Sequence, residues 1–93
     1  AILPPASVKD HRDLVDFNIF PNPAKNLLEL QIDEKHSNLI DTWAIYDSYG
    51  RIAIQASYQQ DRSLNITSLT PGAYTLILIS NNKVIGSKTF VKG

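Results

Sequence analysis

The chain has 93 residues, which is the length of one domain, and its nine Lys and Arg residues balance nine Asp and Glu residues. Zero net charge argues against a dedicated nucleic-acid binder and against a protein held on anionic lipid. The absence of Cys excludes disulfides, thiolate metal sites and a Cys nucleophile. Hydrophobic residues make up 43% of the chain, which is enough for a small core.

Residues 1–16 are predicted to be a linker that follows an upstream domain. Pro4 and Pro5 favour an extended backbone, and charged residues are frequent from Lys9 to Asp16 without a sustained helical or strand period. The longest apolar run, at residues 76–79, is far shorter than the roughly 20 residues that span a bilayer. We therefore expect no direct membrane insertion.

From Phe17 onwards, short apolar stretches alternate with turn residues, which is typical of an antiparallel β-sandwich. Polar loops are expected at residues 34–38 and 59–63, and no helix is expected. The predicted fold class is all-β, an immunoglobulin-like antiparallel sandwich of about seven strands. The predicted strands are residues 17–20, 27–33, 39–47, 52–57, 64–67, 73–80 and 84–91.

Alternation within the strands predicts which side chains form the core. Trp43 and Ile45 share an apolar face, so Trp43 is expected in the core and not on a ligand platform. Ile52, Ile54 and Ala56 are expected to share one face of their strand. Residues 76–79 are apolar on both faces, which predicts a central strand.

Turn residues separate the strands. Asn81 and Asn82 predict a two-residue hairpin turn. Pro71 and Gly72 fit a turn in which Gly72 takes a positive φ. Tyr74 follows this turn, where its ring can be buried while its hydroxyl bonds to the backbone.

The chain offers little for catalysis or metal binding. Its two imidazoles are His11, in the predicted linker, and His36, in a predicted polar loop, and both are expected to be solvated. No nucleophile-elbow motif and no metal-ligand spacing of His residues occurs. Asp47 and Gly50 lie in a predicted turn that lacks the alternating acids of a calcium loop. We therefore predict no catalytic, cofactor-binding or metal-binding residues and no cofactor.

Four short motifs follow one another in a defined order: F-P-N-P at 20–23, I-Y-D-x-x-G-R at 45–51, L-N-I-T-S-L-T-P-G-A-Y at 64–74 and K-x-F-V-K at 88–92. Their order and spacing closely resemble the C-terminal sorting domain, type A, of the type IX (Por) secretion system. That domain is found on exported proteins of the Bacteroidetes. The resemblance covers residues 17–93.

The resemblance implies a function as well as a fold. Residues 17–93 would be a sorting domain that accompanies a covalently linked upstream cargo through the periplasm and is recognised by the type IX machinery. The cargo would reach the cell surface or be secreted. A sortase-like peptidase would then remove the domain by cutting within residues 1–16. The alternative is an accessory carbohydrate-binding or adhesion sandwich of a surface enzyme, which would use exposed rings such as Tyr49 and Tyr58.

The motif residues divide into two predicted groups. The recognition group is Lys88, Phe90, Val91 and Lys92, where the lysines are otherwise expected to be solvated charges. The other group has turn and packing roles: Pro21, Asn22, Pro23, Asp47, Gly50, Pro71, Gly72 and Tyr74. The last strand is expected at a sheet edge, where a receptor strand can add to it or two copies can pair.

Overall fold

The computed structural model describes residues 15–60 and 62–93, which form two antiparallel sheets packed face to face. One sheet has the order β1-β2-β5 and the other β4-β3-β6-β7. The prediction of an all-β, immunoglobulin-like sandwich of about seven strands is confirmed. The elements are β1 (Phe17–Phe20), β2 (Leu27–Ile32), α1 (Glu34–Ser37), β3 (Thr42–Asp47), β4 (Ile52–Ser57), β5 (Ser63–Asn65), β6 (Gly72–Ser80) and β7 (Lys83–Lys92).

The core lies between the two sheets, and side chains from the inner face of each strand fill it. Trp43 and Ile45 are buried there, as the alternation in β3 predicts. The strand β6 pairs with β3 on one side and β7 on the other, so the prediction of a central strand is also confirmed. The largest side chains that are almost completely enclosed among the described residues are Leu28, Ile45, Leu64, Ile66, Leu76, Leu78 and Phe90.

One predicted loop is a short helix. The main-chain N–H groups of His36 and Ser37 donate to the Asp33 carbonyl, which closes the helical turn of α1. Ser37 is buried, and its hydroxyl lies 3.0 Å from the Tyr58 hydroxyl. The prediction that the connection contains no helix is wrong, because four polar residues have no apolar period to indicate one. No helix among the described residues is long and apolar enough to cross a membrane.

Two strand boundaries differ from the predictions by more than one residue, and others in β2, β5, β6 and β7 differ by a single residue, with β7 longer by one at each end. The strand β3 begins at Thr42 instead of residue 39, because the N–H groups of Leu39 and Ile40 bond back to carbonyls of α1. The strand β5 ends at Asn65 instead of residue 67. The Asn65 side chain accepts the N–H of Thr67 at 2.9 Å and turns the chain out of the sheet.

The prediction that Ile52, Ile54 and Ala56 share a face is wrong. The pairing of β3 with β4 shifts register between Ile45 and Tyr46, which is a β-bulge. Ile54 packs against the main core, whereas Ile52 packs against a smaller apolar cluster that contains Tyr46. A bulge moves every residue beyond it to the other face, so simple alternation fails there.

The two ends of the sandwich differ in what they carry. The C-terminal end holds the end of β1, the start of β6 and the last residue of β7, Lys92, which bridges to Ala24. The linker end holds Val15, whose N–H donates to the Ile85 carbonyl at 3.2 Å, and the β6–β7 turn. Lys92 lies seven residues after Ile85 along β7, which at about 3.4 Å per residue places the two ends about 24 Å apart.

Candidate recognition surface at the C-terminal end

The strand β7 lies at the edge of the four-stranded sheet, as predicted, but neighbouring segments cover part of its free side. Near the linker end, the Val15 N–H donates to the Ile85 carbonyl. At the C-terminal end, the Val91 N–H donates to the Asn22 side-chain oxygen at 3.0 Å, and the Val91 carbonyl accepts the Ala24 N–H at 2.7 Å. The free edge of β7 is therefore covered near both of its ends.

The middle of the same edge is open. Backbone groups of alternate residues in an edge strand point away from the sheet, and the outward bonds of Ile85 and Val91 identify which residues these are. Ser87 and Thr89 lie between them in the same alternation. No main-chain group within residues 15–60 or 62–93 bonds to these outward N–H and C=O groups. The open stretch of β7 is residues 87–89.

The four predicted recognition residues do not lie on one surface. Phe90 is 2% exposed and stacks on the Tyr74 ring, with the ring centres 5.8 Å apart. Lys88 is half-buried, and its ammonium group lies 5.9 Å from the centre of the Phe17 ring. Val91 is 45% exposed on the opposite side of the strand.

Lys92 is a buried cation, so the prediction of a solvated charge is wrong. Its side chain is in the same alternation as Phe90 and is 8% exposed. Its ammonium group donates a hydrogen bond of 2.7 Å to the Leu69 carbonyl. The spacing from Phe90 could have revealed this inward direction, but it could not have revealed the carbonyl that accepts the bond.

Tyr74 links the start of β6 to the loop before it. Its hydroxyl donates to the Thr70 carbonyl at 2.6 Å while its ring is buried, as the sequence predicts. Gly72 has a φ of 157°, which a side chain would strain, and Pro71 precedes it in the turn. Together with the Lys92 bond, these contacts join the loop at 66–71 to β6 and to the last strand.

The corner formed by Pro21, Asn22 and Pro23 follows β1 and contacts the last strand, β7. The peptide bonds before both prolines are cis. The Asn22 side chain accepts the Val91 N–H, and Ala24, which follows Pro23, is fully buried and bonds to both Val91 and Gly93. The Asn22 side chain thus accepts a hydrogen bond from the outward-facing N–H of Val91 at the sheet edge, a role that the sequence did not indicate.

The β3–β4 turn is organised by the carboxylate of Asp47. One carboxylate oxygen accepts the N–H groups of Tyr49 and Arg51 at 2.9 and 3.0 Å, and the other accepts the Arg51 Nε–H at 3.0 Å. The Arg51 main-chain N–H is the largest of the interactions that hold the pKa of Asp47 below its usual value, although partial burial opposes them. Gly50 has a φ of 81°, which its lack of a side chain permits.

Two exposed side chains project from this turn. Tyr49 is 82% exposed, and the Arg51 guanidinium lies over its ring at 5.2 Å from the ring centre. The other ring proposed for ligand binding, Tyr58, is half-buried and bonds to Ser37. The described residues therefore do not bring Tyr49 and Tyr58 together as a flat aromatic platform.

The described residues contain few groups that could perform chemistry. No three His, Cys, Asp or Glu side chains within residues 15–60 and 62–93 lie close enough to share a metal ion. His36 lies on α1 and is half-buried, whereas the sequence predicts a solvated loop residue. A depression of about 380 Å³ opens at the linker end, and it is lined by Asp16, Phe17, Asn18, Gln31, Ile32 and Asp33.

Comparison with known protein families settles the classification. The model of the family described as the secretion system C-terminal sorting domain matches residues 18–92. The chain belongs to this family. No curated protein matched the sequence.

The family determines the general function. This sorting domain is a C-terminal signal of the type IX secretion system, and it directs export to the cell surface or secretion. It interacts with the type IX machinery, and sorting-signal domains of this family are not catalytic. The matched residues include all four motifs and the whole edge of β7.

Proposed function

We propose that the machinery recognises this sorting domain through the open stretch of β7, and that a sortase-like peptidase then removes the domain by cutting within residues 1–16. The observation that carries the proposal is that the outward backbone groups of Ser87 and Thr89, which lie between two covered segments, have no main-chain partner among the described residues. A receptor strand can pair with such an edge, and backbone bonds then supply the affinity. This mode of recognition does not depend on the identity of the cargo.

Side chains give the recognition its selectivity. Val91 is exposed beside the open stretch, so a receptor strand would contact it directly. Phe90 and Lys92 act from the inner face by holding β7 in place through the Tyr74 ring and the Leu69 carbonyl. Lys88 contributes a cation at the margin of the core. The K-x-F-V-K motif would thus present an ordered strand instead of four separately read side chains.

Removal of the domain requires a segment that a peptidase can cut without unfolding the sandwich. Residues 1–16 are proposed as the linker to an upstream cargo, and residues 17–93 as the sorting domain. Val15 lies at the linker end, about 24 Å from the last residue of β7 by strand rise. A peptidase acting before Val15 would leave β7 free to remain bound.

An export assay tests the sorting function. The 93-residue chain is fused behind a periplasmic reporter and expressed in a host that has a type IX secretion system. We expect the reporter at the cell surface or in the medium, measured by protease accessibility and by activity in the medium. A characterised sorting domain on the same reporter is the positive control. Retention in the periplasm, while that control is exported, would contradict the proposal.

A carbohydrate-binding or adhesion module is the rival function, and it makes a different prediction. Such a module would hold the same fusion on a polysaccharide column and would not export it. The described rings argue against this function, because Trp43 and Tyr74 are buried and Tyr49 stands alone at a turn. Column retention without export would favour the rival.

The open stretch also allows two copies to pair edge to edge. Only Ser87 and Thr89 offer outward backbone groups there, so such a homodimer would have few interchain bonds. We propose that it forms only at high concentration and dissociates when the receptor strand binds.

A further inference from the structure

The turn between β3 and β4 projects from the C-terminal end, beside segments that are distant in sequence. Asp47, the last residue of β3, pairs with Tyr74 near the start of β6. Gly72, the first residue of β6, pairs with Lys92. All four sequence motifs therefore meet at this end, while Val15 lies at the other end. A partner that approaches the C-terminal end meets every motif without meeting the upstream cargo.

Most motif side chains at this end are explained by folding. Tyr74, Phe90 and Lys92 are buried and bond to or stack on neighbouring segments. Arg51, in the second motif, and Tyr49, at one of the variable positions of that motif, differ from them. The Tyr49 ring is 82% exposed, and the Arg51 side chain is 74% exposed.

We infer that Tyr49 and Arg51 together form a preformed docking contact for a protein surface of the export machinery that carries a carboxylate beside an apolar side chain. The inference rests on the proposed recognition of the open stretch of β7 and adds a second contact to it. Tyr and Arg, together with Trp, are enriched among the residues that contribute most to the binding energy of protein interfaces. In this turn they stand next to each other, and the fold makes no other use of the tyrosine ring.

The pair is ordered before any partner arrives. Both oxygens of the Asp47 carboxylate are used to fix the main chain at Tyr49 and Arg51 and the Nε of Arg51. The Asp47 N–H donates to the Arg51 carbonyl at 2.9 Å, which closes the turn from the other side. A contact whose side chains are already held loses less conformational entropy on binding.

The remaining bonding capacity of the pair defines the partner. The bond to Asp47 uses only Nε, so the two terminal nitrogens of the Arg51 guanidinium can donate as a fork to a carboxylate. One face of the Tyr49 ring lies under the guanidinium, and the other face is open to an aliphatic or aromatic side chain. A carboxylate next to an apolar side chain satisfies both groups at once.

Replacement of Tyr49 tests the contact in the reporter fusion. We expect Tyr49→Ala to lower surface export about tenfold or more, as for the loss of one central interface side chain. The unfolding midpoint should stay at the unmodified value, because the ring is exposed. Leu39→Ala is the matched control, since Leu39 is 50% exposed next to α1 at the linker end. Unchanged export of Tyr49→Ala would overturn the inference.

Two further variants test the chemistry of the partner. Tyr49→Phe retains the ring and should be exported normally. Tyr49→Glu places a negative charge beside the incoming carboxylate and should be exported less than Tyr49→Ala. Equal export of Tyr49→Glu and Tyr49→Ala would overturn the carboxylate assignment. Failure of the unmodified fusion to be exported would instead contradict the sorting function, so the two failures are distinguishable.

Discussion

At the residue scale, the Lys92 ammonium shows how a charged terminal residue can stabilise a sandwich. It is 8% exposed and bonds to the Leu69 carbonyl, so it ties the last strand to the loop before β6. A hydrogen bond to a charged group contributes about 1.5–3 kcal/mol, and its loss leaves a carbonyl unpaired. The aliphatic stem of the lysine adds buried contacts.

We therefore expect Lys92→Ala to lower the free energy of unfolding by about 1–3 kcal/mol, measured by denaturant titration. Lys83→Ala is the control, because Lys83 is exposed at the first residue of the same strand and its loss should cost within about 0.5 kcal/mol. Equal unfolding midpoints for the two variants would show that the Leu69 bond contributes nothing.

Side-chain alternation predicts which face of a strand a side chain lies on better than it predicts which atoms that side chain contacts. The burial of Trp43 and the backbone bond of Tyr74 follow from their neighbours in sequence, because each depends on a strand or a turn close by. The bonds from Lys92 to Leu69 and from Val91 to Asn22 join residues 23 and 69 positions apart. Nothing local in the sequence indicates which distant atom closes such a contact.

At the element scale, strands were predicted more accurately than the connections between them. The bounds of β1 and β4 are those predicted, because turn residues at 21–23 end β1 and turn residues at 48–50 precede β4. The connection at 33–41 contains α1, which delays the start of β3. The sequence does not indicate this helix, because main-chain bonds to Asp33 close it and its polar residues show no apolar period. The bulge in the pairing of β3 with β4 was likewise invisible, because it arises between strands.

The covered ends of β7 limit pairing of this edge strand with other chains. An open strand edge is prone to pair with other chains, and proteins limit this by shortening or covering the edge. Asn22 and Ala24 cover the C-terminal part of β7, and Val15 covers a position near its start. What stays open at residues 87–89 is long enough to guide one receptor strand and short enough to limit self-association.

Thr89→Pro tests strand addition at this open stretch. Proline removes the outward N–H of residue 89 and is tolerated in edge strands where that group faces solvent. We expect export of the reporter fusion to fall strongly while the circular dichroism spectrum stays that of a β-sandwich. Thr89→Val retains the N–H and is the control. Normal export of a folded Thr89→Pro fusion would contradict strand addition at this position.

At the scale of the whole molecule, recognition and removal of the domain are proposed to use different parts of the chain. The four motifs meet at the C-terminal end, and Val15 continues into residues 1–14 from the linker end. The open stretch at residues 87–89 lies between these ends, which are about 24 Å apart, so β7 can remain bound while the chain before Val15 is cut. Recognition and removal would then depend on different parts of the chain, which makes them separable by experiment.

Replacement of residues 1–14 by a Gly/Ser segment of equal length tests this division. Such a segment is flexible and still spans the distance to a cargo, but it lacks the charges and prolines of the natural sequence. We expect the fusion to reach the cell surface at the normal level and to keep its sorting domain, because the peptidase no longer has its site. Surface exposure is measured by protease accessibility, and retention of the domain by the mass of the exported protein, with the unmodified fusion as control. Loss of export would show that residues 1–14 belong to the signal itself, and normal removal would place the cut elsewhere in the fusion.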